Sequence, residues 1–120
     1  KLAENRSQQY KEIKKIKGIS LNTIIENSKF NESKISLLSI DIENYEYEVL
    51  KKFNFNKYKI DIIVTEITDT NIKNLEIYNL SLENIFETNL YKLMLKNNYK
   101  LINWVNADLI FIRNASNLII

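Results

Sequence analysis

Apolar and polar positions alternate between short periodic stretches and polar, Asn-rich ones. Ile35 to Ile40 is a compact apolar run, the pattern of a strand buried on both faces. From Asp41 the period changes. Tyr45, Val49, Leu50 and Phe53 recur at helical spacing with Glu46, Glu48, Lys51 and Lys52 on the outer side, so an amphipathic helix follows the strand directly. Ile60 to Ile67 predicts a second buried strand, rich in the β-branched residues Ile62, Ile63, Val64 and Thr65. Thr68 to Leu80 is polar and reads as a loop. Ser81 then caps a long helix whose apolar stripe is Leu82, Ile85, Phe86, Leu90, Leu93 and Met94, and Asn97-Asn98 ends it. Tyr99 to Val105 and Leu109 to Arg113 form a predicted hairpin turning near Asn106. Upstream, Ser20 caps a short helix to Asn27, with Leu21, Ile24 and Ile25 on one face. Glu12 to Lys17 fits either a helical turn or a short strand, stopped at Gly18. Lys1 to Gln9 reads as a frayed entry and Asn114 to Ile120 as an unpaired tail.

The order strand, helix, strand, helix, hairpin predicts an α/β fold. Its centre is a parallel βαβ unit, to which the hairpin adds an antiparallel edge. No internal repeat or linker divides residues 1–120, so a single unit is expected.

Composition narrows the chemistry. Apolar residues make up 45% of the chain, enough for a packed core. The net charge is only +2 and the lysines are scattered, which gives no electrostatic case for nucleic acid or a membrane surface. Apolar runs fall far short of the roughly 20 residues of a membrane span. No charged-then-apolar leader opens the chain, and the expected compartment is the cytoplasm. Cys and His are both absent. That removes disulfides, thiol nucleophiles, imidazole bases and zinc sites of the usual ligands, and no metal site is read from the sequence. A general base must be Asp, Glu, Lys or Tyr. With one Gly and no Pro, Asn is expected to fill the positive-φ positions.

In parallel α/β sheets ligands bind beyond the carboxyl ends of the strands. Asp41 follows the first strand there, Glu66 closes the second, and Glu43 starts the helix. Each also has a structural reading: Asp41 as a helix cap, and Glu43 as a partner of the helix dipole. Glu66, inside an apolar strand, needs a partner or an open cleft. Tyr45, Tyr47 and Trp104 read most simply as core or surface cover, with a pocket wall as the other reading of Trp104.

These residues resemble a known pattern. FkbM-type methyltransferases carry a buried strand running into Asp-x-Glu-Gly-x-Glu-x-x-x-Leu, matched here by Asp41, Glu43, Glu46 and Leu50 after Ile35-Ser36-Leu37-Leu38-Ser39-Ile40. Tyr58 to Glu66 is similar to the family's next strand, which also ends in Glu. Asn98-Tyr99-Lys100-Leu101 resembles its Gly-Tyr-x-Leu strand, Asp108 to Arg113 its closing strand, and Ile19-Ser20-Leu21-Asn22 its Thr-Leu-Asp entry. The resemblance runs from about Gly18 to Arg113 and implies the C-terminal half of a Rossmann-like class I methyltransferase sheet. It further implies transfer of a methyl group from S-adenosyl-L-methionine (AdoMet) to a hydroxyl, often of a sugar or natural product. Asp41 and Glu43 would be catalytic, and Glu66 and Tyr45 would contact a small-molecule or glycan acceptor. Three departures stand out. Asn44 replaces Gly, Asn22 replaces Asp, and no Gly-x-Gly turn to hold AdoMet exists in these residues. The resemblance therefore covers the acceptor-side half, a partial domain expected to bind AdoMet weakly or not at all alone. It leaves an apolar sheet edge open to self-association. A non-catalytic binding or structural domain built on the same sheet, and an unrelated small α/β protein, stay open as rival readings.

Overall fold

The computed structural model describes residues 12–67 and 81–114. Its elements are α1 (Leu21–Glu26), β1 (Leu37–Ile40), α2 (Glu46–Leu50), β2 (Ile62–Glu66), α3 (Leu82–Glu87), α4 (Asn89–Lys96), β3 (Tyr99–Val105) and β4 (Asp108–Arg113). The strands form one sheet in the order β1-β2-β4-β3. β1 runs parallel to β2, with Leu37 opposite Ile62 and Ile40 opposite Thr65. β4 lies antiparallel to β2, and β3 antiparallel to β4 with a register shift between Leu101 and Asn103. The α/β class is as expected: a parallel βαβ unit and an antiparallel hairpin.

Alternation along the strands decides where the core sits. Leu38, Ile40, Ile63, Leu109 and Phe111 face one way and join a single cluster with Ile25, Leu50, Ile85, Leu90 and Met94 from the helices. Full burial of such side chains stabilises the fold by about 1.5–3 kcal/mol each. The opposite face is thinner. Leu37 is 57% exposed, Ser39 is exposed, and Ile62 and Val64 are half-buried. The expectation that the first strand is buried on both faces therefore fails. Among the described residues β1 is one of the two edge strands, and the described helices place their buried residues on the other side of the sheet.

Two helices differ from expectation. The long helix after Ser81 is two helices, broken at Thr88, whose ψ of 146° is extended. The Thr88 hydroxyl donates to Ile85 O at 2.6 Å and accepts from Tyr91 N, so one side chain closes α3 and opens α4. The break turns Leu82 and Phe86 out of the stripe, and both are exposed. α2 is shorter than its periodicity and starts at Glu46 rather than directly after β1. Tyr45 precedes it and is 66% exposed, while Glu46, placed on the outer side by the sequence pattern, is buried. Among the helix starts, Ser20 and Ser81 cap as expected, accepting from Thr23 N and Asn84 N.

Asn does take the positions where Gly is usual. Positive φ occurs at Glu43 (53°), Asn44 (77°), Asn98 (68°) and Asn106 (54°). Asn98 ends α4, and Asn106 turns the hairpin, its carbonyl accepting from Trp104 Nε1 at 2.6 Å. Glu12 to Lys17 forms neither helix nor paired strand. The expected entry segment, the Thr68–Leu80 loop and the tail after Asn114 lie outside the described residues.

Candidate active site

Because β1 and β2 are parallel and in register, their carboxyl ends open at the same rim, and Asp41 and Glu66 leave them side by side. The chain cannot enter α2 directly from there. Glu43 and Asn44 both adopt left-handed backbone, a conformation that costs an ordinary L-residue about 1–2 kcal/mol and Asn less. The result is a tight turn that folds Glu46 back under the strand end. Its Oε1 accepts from Ile42 N at 2.7 Å, and the side chain is 3% exposed. Carboxylate oxygens of Asp41, Glu46 and Glu66 then all lie within 4.8 Å of one another.

Like charges so close disfavour each other's ionisation. Burial pushes the Glu66 carboxyl above its ordinary value, and the charge of Asp41, a hydrogen bond with it, and the charges of Glu43 and Glu46 push the same way. Such a site attracts a proton, a hydroxyl donor or a hard cation. Three carboxylates supply the oxygen donors that magnesium or calcium takes, but only part of their shells of about six or more.

The predicted residues fall as follows. Asp41 and Glu66 meet at the rim, as the strand-end argument requires. Asp41 is not the cap of α2, because Tyr45 occupies that position and the helix begins at Glu46. Glu43 belongs to the turn rather than to the first helical turn, and it acts on Glu66 through its charge. Tyr45 is not one of the converging carboxylates' partners by position. It lines a groove of about 410 Å³ between α1 and α2, with Leu21, Val49 and Lys52. The residue missed as a site member is Glu46. Its signal was present as the last acid of Asp-x-Glu-x-x-Glu, but helical periodicity assigned it outward.

The opposite end of the sheet is built differently. Asp61, just before β2, receives Lys34 Nζ at 2.8 Å and an Arg113 guanidinium N–H at 2.7 Å. Lys34 first, and then Arg113, hold its carboxyl below the usual value. Beside it, the buried Tyr99 hydroxyl donates to Ile60 O at 2.6 Å, and burial pushes its pKa up to about 12. Asn22 has a related structural role. Its amide donates to Lys52 O and accepts from Asn54 N, both at 2.9 Å, tying α1 to the end of α2. A carboxylate could not make the first of these bonds.

The family model described as the methyltransferase FkbM domain matches residues 1–101. The chain belongs to the FkbM methyltransferase family. The match contains β1, the left-handed turn, α2 and β2, hence the whole carboxylate rim, and it ends within β3. The mixed four-stranded sheet suits a portion of the methyltransferase fold. No curated protein and no solved structure matches the chain. Among the described residues, no helix is long and apolar enough to cross a membrane.

Membership of the FkbM family carries an expectation of AdoMet as methyl donor, and the residues present do not fit it. The chain has one glycine, Gly18. A Cβ added there would meet nothing within 4 Å, so it does not serve a close backbone approach. A dinucleotide-type cradle needs glycines where backbone meets ligand.

Proposed function

We infer that this chain supplies the acceptor side of an AdoMet-dependent O-methyltransferase, with a hydroxyl of a sugar or natural product as the methyl acceptor. The observation that carries this reading is the convergence of Asp41, Glu46 and Glu66 at the ligand edge of the parallel strands. O-methylation requires a group to take the hydroxyl proton and groups to hold the acceptor in line. Asp41, exposed at the rim, is the proton acceptor. Glu43 shares the catalytic turn and strengthens its negative field. Glu66, its carboxyl pushed above the ordinary value by burial and by its acidic neighbours, exchanges hydrogen bonds with acceptor hydroxyls. Tyr45 offers an exposed ring beside the turn for the body of the acceptor. Glu46 is a positioning residue: its bond to Ile42 N fixes the turn that presents Asp41.

No step is assigned to the donor here, since this chain does not fit AdoMet. Calorimetry of the chain with AdoMet should therefore show no micromolar binding, and such binding would overturn the acceptor-side assignment. The role of Asp41 is tested in an intact FkbM relative bearing the same Asp-x-Glu turn. Its Asp→Asn variant should lose turnover about 10²-fold or more, the usual worth of a proton-transfer group. The missing glycine turn favours one second reading, a non-catalytic binding domain on the same sheet, and unchanged turnover in that variant would support it.

A further inference from the structure

The groove between α1 and α2 holds none of the converging carboxylates, yet it adjoins them. Tyr45, on its wall, is the second residue after Glu43. Its apolar lining is Leu21, Val49 and Phe53. Leu21 and Val49 are partly buried against the core cluster, and Phe53 belongs to it. The two helices are fixed to one another within the chain. Asn22 grips Lys52 O and Asn54 N, and Glu26 pairs with Lys57 Nζ at 3.1 Å. The groove is therefore built by α1, α2 and the turns that flank them. Its volume of about 410 Å³ falls in the range of small-molecule sites.

The charges along the groove say which kind of molecule suits it. Glu48 is already matched, by Lys51 Nζ at 2.6 Å. Lys52 pairs with no carboxylate among the described residues. The groove thus runs from the acidic turn beside Tyr45 to an uncompensated ammonium at Lys52, about 10 Å further along at the helical rise. A sugar ring carries hydroxyls all round and would leave some of them unpaired against Leu21, Val49 and Phe53. An apolar skeleton gains by burial there. A hydroxyl at its acidic end and an anionic group at its basic end complete the match in charge.

We propose that this groove seats the body of the methyl acceptor, and that the acceptor is an amphiphile. Its apolar skeleton, about 10 Å long to match the groove, carries the reacting hydroxyl at one end and an acidic group at the other. The proposal rests on the acceptor-side reading and narrows it from any sugar or natural product to this class. Tyr45 covers the skeleton next to the hydroxyl, and Lys52 sets its direction.

Amide chemical shifts of the isotope-labelled full chain test it, with ω-hydroxydecanoate as the probe. Saturable shifts are expected at Leu21, Tyr45, Val49 and Lys52. Decanediol, which lacks the acid, should bind about two- to fivefold more weakly, the worth of an exposed ion pair. Glucose should leave these amides unmoved. Lys52→Gln should lower the affinity of ω-hydroxydecanoate to that of the diol, and Tyr45→Ala should weaken both about two- to tenfold. Both side chains are exposed, so the thermal melts of these variants should match that of the native chain. No saturable shift at these residues, shifts confined to another face, or equal binding of decanediol or glucose overturns the proposal. The two readings fail separately. Groove binding with undiminished turnover in the Asp→Asn relative overturns the acceptor assignment. Lost turnover in that relative, with no groove binding in this chain, overturns the groove alone.

Discussion

The two ends of β2 each carry a carboxylate, and they are treated in opposite ways. Asp61 at the amino end sits between Lys34 and Arg113 and is held in its charged form. Glu66 at the carboxyl end faces Asp41, Glu43 and Glu46 and is pushed toward its neutral form. The first arrangement is compensated and ties together the entry to β1, β2 and the end of β4. The second is uncompensated and adjoins a turn with two consecutive left-handed residues. A fold seeking stability alone has no reason to gather acids on strained backbone. Uncompensated charge and strain at one rim support the acceptor-binding role proposed for it.

The contrast can be broken most strongly at Asp61. Asp61→Ala leaves the half-buried Arg113 guanidinium without its acceptor and should lower unfolding free energy by about 1–3 kcal/mol in urea titration. The same pair sets an acid response. Because the folded-state value of Asp61 is lowered, its contribution is fully present above the ordinary 3.8 and is lost as pH falls from there toward the folded value. Native protein should lose stability through that window, and Asp61→Asn should lose less, as thermal melts across acid pH will show.

Strain gives the next effect. Asn44→Ala forces a residue less tolerant of φ 77° into the turn and should cost about 1 kcal/mol, whereas Asn44→Gly should not destabilise. A pair of denaturation curves decides between them. Glu66→Gln gives the smallest change and the opposite sign. Its raised folded value means that the ionised form opposes folding as pH rises past the ordinary 4.5. Removing that charge should therefore raise the melting temperature slightly at neutral pH. A drop instead would place Glu66 with Asp61 among the structural acids.

Much of this contrast was written in the order of residues. The period change at Asp41, the β-branched run before Glu66 and the Asn-Tyr turn into β3 identify strands, crossover and hairpin, because hydrophobic spacing reflects which side must leave water. The same spacing misled at Glu46. Periodicity reports which face of a regular helix is apolar, and it cannot register that a left-handed turn rotates the first helical residue inward. Thr88 misled in the same way, since an unbroken apolar stripe hides a hydroxyl able to end one helix and begin another.

What the sequence determined alone is the α/β class, the family, the absence of thiol and imidazole chemistry, and Asp41 and Glu66 as strand-end acids. These follow from local pattern and composition. The tertiary structure decided which acids meet, that the charge of Asp61 is compensated while that of Glu66 is not, and that one face of β1 is exposed rather than buried. The physical reason is distance along the chain: Lys34, Asp61 and Arg113, like Asp41 and Glu66, are remote in sequence. Only sheet order and register bring one set of charges into compensation and the other into opposition.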